Sequence, residues 1–266
     1  MKRSLFIVLL VLIFPGLAVA EQGVKKKRPL PFEYGRVVIN NYSEKTAGLA
    51  PVVYDHWLHR ALYTCRLCHV DLGFAMKAGA TNIKAADNQA GYYCGACHNG
   101  KMVFDDKKIF DSCVVRSENH DMKKCERCHS QGKDVKMEHD FHVFTKNFPR
   151  GRFGNNIDWV EAEAEGKIKP RDYLEGISIK RQPLAQVNDI ELKAKFEGMP
   201  YIIFSHKKHS IWNGCELCHP EIFASLKTGV TKFTMVEIYE GKYCGACHNQ
   251  VAFPSIDCQR CHKAIK

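Results

Sequence analysis

Residues 91–99 read Gly-Tyr-Tyr-Cys-Gly-Ala-Cys-His-Asn, and residues 241–249 read Gly-Lys-Tyr-Cys-Gly-Ala-Cys-His-Asn. Two properties of this stretch organise the chain: a Cys-x-x-Cys pair followed at once by His, and its recurrence at an offset of 150. The signature occurs six times, at Cys65/Cys68/His69, Cys94/Cys97/His98, Cys125/Cys128/His129, Cys215/Cys218/His219, Cys244/Cys247/His248 and Cys258/Cys261/His262. It takes up 12 of the 13 cysteines, and histidine is only 13 of 266 residues, so chance does not explain six suffixes on six pairs.

Cysteine-rich exported chains usually spend their thiols on disulfides. This spacing says otherwise. Residues i and i+3 of a helical turn lie on one face, so two thiols can reach the two vinyl groups of one porphyrin edge. The histidine that follows then projects beneath the ring as proximal iron ligand. Zinc ribbons also pair their cysteines but do not require a His after each pair. Cys94-Gly95-Ala96-Cys97 by itself would pass for a redox-active dithiol, but not with the same suffix repeated six times. The sequence predicts six c-type haems, each on one pair, with His69, His98, His129, His219, His248 and His262 as proximal ligands.

Outward from the motifs, the repeat is gapless: over 51–99 against 201–249, 17 of 49 positions are identical, including Lys77/Lys227, Gly79/Gly229, Thr81/Thr231 and Gly91/Gly241. Only the third motif breaks register. Cys97 and Cys125 are separated by 27 residues, Cys247 and Cys258 by 10. The first half therefore carries 17 extra residues, with Cys113 and His120 among them. Duplication of a three-haem unit accounts for this pattern.

His-x-x-His, then C-x-x-C-H, then Gly-x-Tyr-Cys-Gly-Ala-Cys-His-Asn, then Cys-x-Arg-Cys-His resembles the c7-type trihaem cytochromes, relatives of the tetrahaem cytochromes c3. The resemblance covers roughly 51–130 and 201–263. It implies that His56 faces the haem of His69, His59 that of His98, His206 that of His219 and His209 that of His248. The third distal histidine of that family falls near Ala90 and Glu240, where this chain has none. The histidine count agrees with bis-histidine ligation: seven histidines lie outside the motifs, and six distal positions need filling. Besides the four above, the candidates are His120, His139 and His142. His120, just before Cys125, suits the haem of His129. His139 or His142 would then cross to the haem of His262, with Met235 as the rival ligand.

Lys2-Arg3, the ten apolar residues Leu5–Phe14 and Ala18-Val19-Ala20 read as a cleaved export signal over 1–20, too short to span a bilayer. The remaining organisation reads as an N-terminal arm (21–50), a first c7-like module (51–138), a haem-free connector (139–200) and a second module (201–266). Val37–Ile39, Val52–Tyr54 and Ile202–Phe204 read as strands, His56–Leu62, Asp158–Gly166 and Asp189–Phe196 as helices. The expected fold class is a multihaem cytochrome c with little regular secondary structure: two c7-like trihaem modules, with short helices, loops and minor strands around the haems.

The formal charge of +10 suggests nucleic acid only until the signal is removed and the propionates are counted. The haem-loaded chain comes to roughly +2 oxidised and −4 reduced. The function expected is single-electron relay by an exported, non-enzymatic hexahaem cytochrome. It would sit in the periplasm or on the outer surface, between redox partner proteins such as other multihaem cytochromes or a membrane quinol-oxidising complex. Alternatives are a subunit of an extracellular cytochrome filament or outer-membrane conduit, and a multihaem oxyanion reductase. Cys113 reads as a buried or free thiol.

Overall fold

The computed structural model describes residues 28–40, 50–112, 125–130, 139–182, 188–194 and 197–263. The expected export signal, Cys113 and His120 lie outside the described residues. Among the described residues, no helix is long and apolar enough to cross a membrane.

Each module opens with a strand that runs straight into its His-x-x-His helix. In the first, β1 (Arg36–Ile39) and β2 (Val52–Asp55) pair antiparallel, Val38 opposite Val53. Next comes α1 (His56–Leu62), entered at Asp55, whose carboxylate takes the Arg36 guanidinium at 2.7 Å. Different faces of α1 meet different surroundings. Trp57 and Ala61, four residues apart and so on one face, are 6% and 3% exposed. They join Phe141, Ile157, Trp159, Ala162 and Ile168 in an apolar cluster. His56 and His59 occupy the other face, toward the cysteine motifs.

Beyond the first motif come α2 (Ala85–Gln89), a 3-10 turn at Tyr93–Ala96 carrying the second, and a hairpin of β3 (Val103–Phe104) and β4 (Lys107–Lys108). The hairpin lies within the extra residues of the first half. Gly95 is required where it stands: a Cβ there would lie 1.9 Å from the Asn88 carbonyl oxygen of α2. Gly245 repeats the contact, with a Cβ 1.9 Å from the Ile238 oxygen. No side chain fits either position.

The connector supplies α3 (Phe141–Phe144) and α4 (Trp159–Ala164). Asp158 caps α4 by accepting from the Val160 and Glu161 amides, and the chain leaves the helix through Gly166 at φ +69°. The expected helix over Asp189–Phe196 is corrected. Ile190–Leu192 is β5, antiparallel to β6 (Ile202–Phe204) with Ile190 opposite Phe204. A three-residue apolar-polar-apolar segment fits either period, and pairing with β6 decides it. The second module continues with α5 (His206–Asn213), α6 (Met235–Tyr239), a 3-10 turn at Tyr243–Ala246 and α7 (Cys258–Cys261).

In both modules the third motif returns to the start of the module. The Val53 amide donates to the Cys128 carbonyl at 2.7 Å, and the Lys263 amide to that of Tyr201 at 3.2 Å. An isolated bridge also joins Ile202 to His262. Among the described residues the chain is mostly loops with these short elements and no barrel, as expected of two haem-bearing modules.

Candidate haem sites

Most of the motifs close on themselves as one helical turn. The amides of His98, His129, His219, His248 and His262 each donate to the carbonyl of the first cysteine of their own motif, at 2.8–3.0 Å. The cysteines thereby share a face of the turn and the imidazole projects past its end.

Each of the six motif imidazoles is also fixed from behind. Nδ1 of His69 donates to the Phe74 carbonyl (2.8 Å), His98 to Phe110 (3.0 Å), His219 to Phe223 (2.7 Å) and His248 to Phe253 (2.9 Å). His129 donates to Ala50 (2.6 Å) and His262 to Pro200 (3.1 Å), acceptors 150 residues apart although the motifs themselves are not. A carbonyl can only accept, so each Nδ1 carries the proton and Nε2 keeps its lone pair for a metal.

Three of the expected ligand pairs meet across a gap. His56 and His69 stand with ring centroids 6.5 Å apart and planes 6° from parallel. His59 and His98 are 6.4 Å apart, and His209 and His248 6.2 Å. Rings packed directly on one another would approach to about 3.5–4 Å. Two imidazoles on opposite sides of one metal, each bonded at about 2 Å, have centroids roughly 6 Å apart. The gap fits an iron.

The surroundings suit neutral ligands. Burial lowers His59 to about 3 and His56 to about 4, so both rings are unprotonated near neutrality, as ligation requires. The Gly35 carbonyl takes the Nδ1 proton of His56 at 2.6 Å, and the Ser205 carbonyl that of His209 at 2.8 Å. Tyr54 packs against both His56 and His59 at 4.7 and 4.6 Å, and Phe204 takes its place beside His206 and His209. Burial pushes the Cys68 and Cys247 thiols up to about 12 and Cys244 to about 11, with neighbouring motif thiols adding to each rise.

The structure does not bring together every expected pair. Among the described residues His206 has its ring on Phe204 and makes no ring contact with His219, and no carbonyl holds it as Gly35 holds His56. His139 and His142 are exposed at the start of α3. Phe141 is buried between them, and the His142 ring lies on Phe32 and Phe141 rather than near His262 or His129. Met235 begins α6 and is 40% exposed.

The carbonyl acceptors were not read from the sequence. A signal for four of them exists, a Phe placed 4–12 residues after each first or second motif. Ala50, Pro200 and Gly35 carry none.

The family model of cytochrome c7 and related cytochrome c matches residues 52–146 and 202–263, more than half of the chain. No curated protein sequence matches. Among solved structures, a c7-type three-heme cytochrome domain is 39% identical, covering 29% of this chain and 95% of its own, with a TM-score of 0.27. The C-terminal hexaheme fragment of GSU1996 is 25% identical over 86% of this chain and 98% of its own, TM-score 0.26. The dodecaheme cytochrome c GSU1996 is 26% identical over 87% and 75%, TM-score 0.27. With six c-type haems on its twelve paired cysteines and two c7-like modules, the chain belongs to the family of cytochrome c7 and related cytochromes c.

Proposed function

We propose that the chain is an exported electron relay, taking single electrons from one redox partner protein and passing them to another through six low-spin haems. The partners fit the class of other multihaem cytochromes or a membrane quinol-oxidising complex, and the periplasm or outer surface is the setting. The modules are taken as 51–138 and 201–266, joined by the segment 139–200.

Cys65/Cys68, Cys94/Cys97, Cys125/Cys128, Cys215/Cys218, Cys244/Cys247 and Cys258/Cys261 would each hold one haem, with the histidine after each pair as proximal ligand. His56, His59 and His209 are proposed as distal ligands to the haems of His69, His98 and His248. His206, at the repeat position of His56, is proposed for the haem of His219, His120 for that of His129, and His139 or His142, with Met235 as the rival, for that of His262. Bound haem supplies the one-electron ferric/ferrous couple. Backbone carbonyls hold the Nδ1 protons of the six motif histidines and of His56 and His209 and keep those rings from turning. That strengthens those ligands and favours six-coordinate iron.

The observation that carries this reading is the set of three imidazole pairs held 6.2–6.5 Å apart. The test is the optical and EPR spectrum of the purified ferric protein, with an intact mass giving six haems. Low-spin signals alone are expected. A substantial high-spin fraction, or turnover of nitrite, hydroxylamine or sulfite with a reduced dye, overturns it.

A further inference from the structure

The arginines that tie the two modules and the connector together fall into two kinds. Arg181 meets Asp71 of the first module at 2.6 Å and Glu216 of the second at 3.0 Å. Arg66 meets Asp172, and Arg260 of the sixth motif meets Asp158 and Asp257. Each of these charges is cancelled by a carboxylate.

Arg60 is different. It follows His59 on α1 and stands four residues, one helical turn, from His56. Its Nη1 donates to the Val251 carbonyl at 2.5 Å, and Val251 lies three residues beyond His248 in the second module. Its guanidinium lies 5.0 Å from the centre of the Trp159 ring of the connector and 5.9 Å from that of Trp212 in α5. Among the described residues it pairs with no Asp or Glu. All the partners named here are neutral, so no carboxylate side chain among the described residues cancels the charge. The Cys65 and Cys247 sulfurs are among the groups that feel it. The corresponding position in the second module is Ser210, so the repeat has no second copy of this charge.

We propose that Arg60 is a positioning residue for electron transfer: its charge, paired with no Asp or Glu and held where the modules meet, raises the reduction potentials of the haems anchored at Cys65/Cys68 and at Cys244/Cys247. A reduced haem carries one positive charge fewer than an oxidised one, so a fixed cation beside it favours the reduced form. Electrons in the relay are thereby drawn toward the junction from either side. The inference rests on the ligand assignment above, which the wild-type haem count and low-spin spectrum test separately.

The experiment is an NMR-resolved redox titration of the full-length, haem-loaded protein and its Arg60→Gln and Arg60→Lys variants, all checked for six haems by mass. Arg60→Gln is expected to lower the reduced-to-oxidised ratio at fixed potential by on the order of tenfold, about 59 mV for one electron. The change should fall on two haems, and Arg60→Lys should restore most of it. A charge away from bulk water is screened little by salt, so the shift should persist in 0.5 M KCl, a probe concentration of about three times physiological. The proposal is overturned if Arg60→Gln titrates like wild type, and modules loosened in small-angle scattering would then make Arg60 only a clamp. An equal shift of all six haems, or a shift abolished by salt, also overturns it.

Discussion

The two His-x-x-His helices occupy equivalent positions of the repeat and have different neighbours. In α1, Trp57 is 6% and Ala61 3% exposed, packed into the core that α3 and α4 provide. In α5 the same positions are Lys207, which is exposed, and Ile211, which is 51% exposed. The side that carries the histidines is the same in both, His56 and His59 against His206 and His209. The side that meets the rest of the protein is not. A haem module of this kind tolerates any outer face, because its inner face is organised around the cysteine motifs.

Where the modules agree, damage should be equal and severe. Gly95→Ala and Gly245→Ala each drive a Cβ to 1.9 Å from a carbonyl of the preceding helix. The cost should exceed the ~1–3 kcal/mol of ordinary overpacking. Chemical denaturation and haem mass should show the same loss in both variants; a loss in one alone would mean that the modules are not equivalent even here.

Where they differ, the same substitution should separate them. Trp57→Ala removes a core aromatic and should cost about 3–5 kcal/mol, whereas Lys207→Ala should change stability by about 0.5 kcal/mol or less. Equal effects in denaturant unfolding would erase the contrast between covered and uncovered helices.

A finer contrast lies in the ligands. The carbonyl of Gly35 holds His56, and among the described residues no comparable hydrogen bond holds His206. A hydrogen bond worth about 1 kcal/mol corresponds to about fivefold in ligand exchange. Titration with imidazole or cyanide should therefore reach the haem of His219 about fivefold more readily than that of His69, resolved by NMR or by deleting either histidine. Preference for the haem of His69 would reverse the assignment.

The smallest effect concerns the tie between connector and second module. Burial alone would raise the Asp158 carboxyl, but hydrogen bonds from Arg260 and the Glu161 amide outweigh it and hold Asp158 below its ordinary value. A carboxyl held low in the folded state adds stability above its unfolded value of about 3.9 and loses it as pH falls through the folded one. The difference between wild type and Asp158→Asn should be under about 1 kcal/mol at neutral pH and vanish as pH falls through the folded value. A difference independent of pH would remove the ion pair from the account.

What could be read in the sequence was what is covalent or periodic. The paired cysteines, the histidine after each and the 150-residue repeat disclosed the haems and the modules, and His56–Leu62 was legible as a helix. The segment Ile190–Leu192 was not, because its strand character comes from β6, ten or more residues away. The imidazole supports were hidden for a related reason. A backbone carbonyl has no letter of its own, and nothing near Ala50 or Pro200 marks it as the partner of His129 or His262. Arg60 meets its acceptor 191 residues along the chain, a distance no local pattern spans.

The return of each third motif to the first strand of its module has one more consequence. The Val53–Cys128 and Tyr201–Lys263 bonds set the entry and the exit of a module side by side. A module built this way is a bead whose string enters and leaves at one point. Another bead can be threaded without disturbing the inside of any other, so a longer conductor needs no new interior. Only the faces between beads have to be invented afresh.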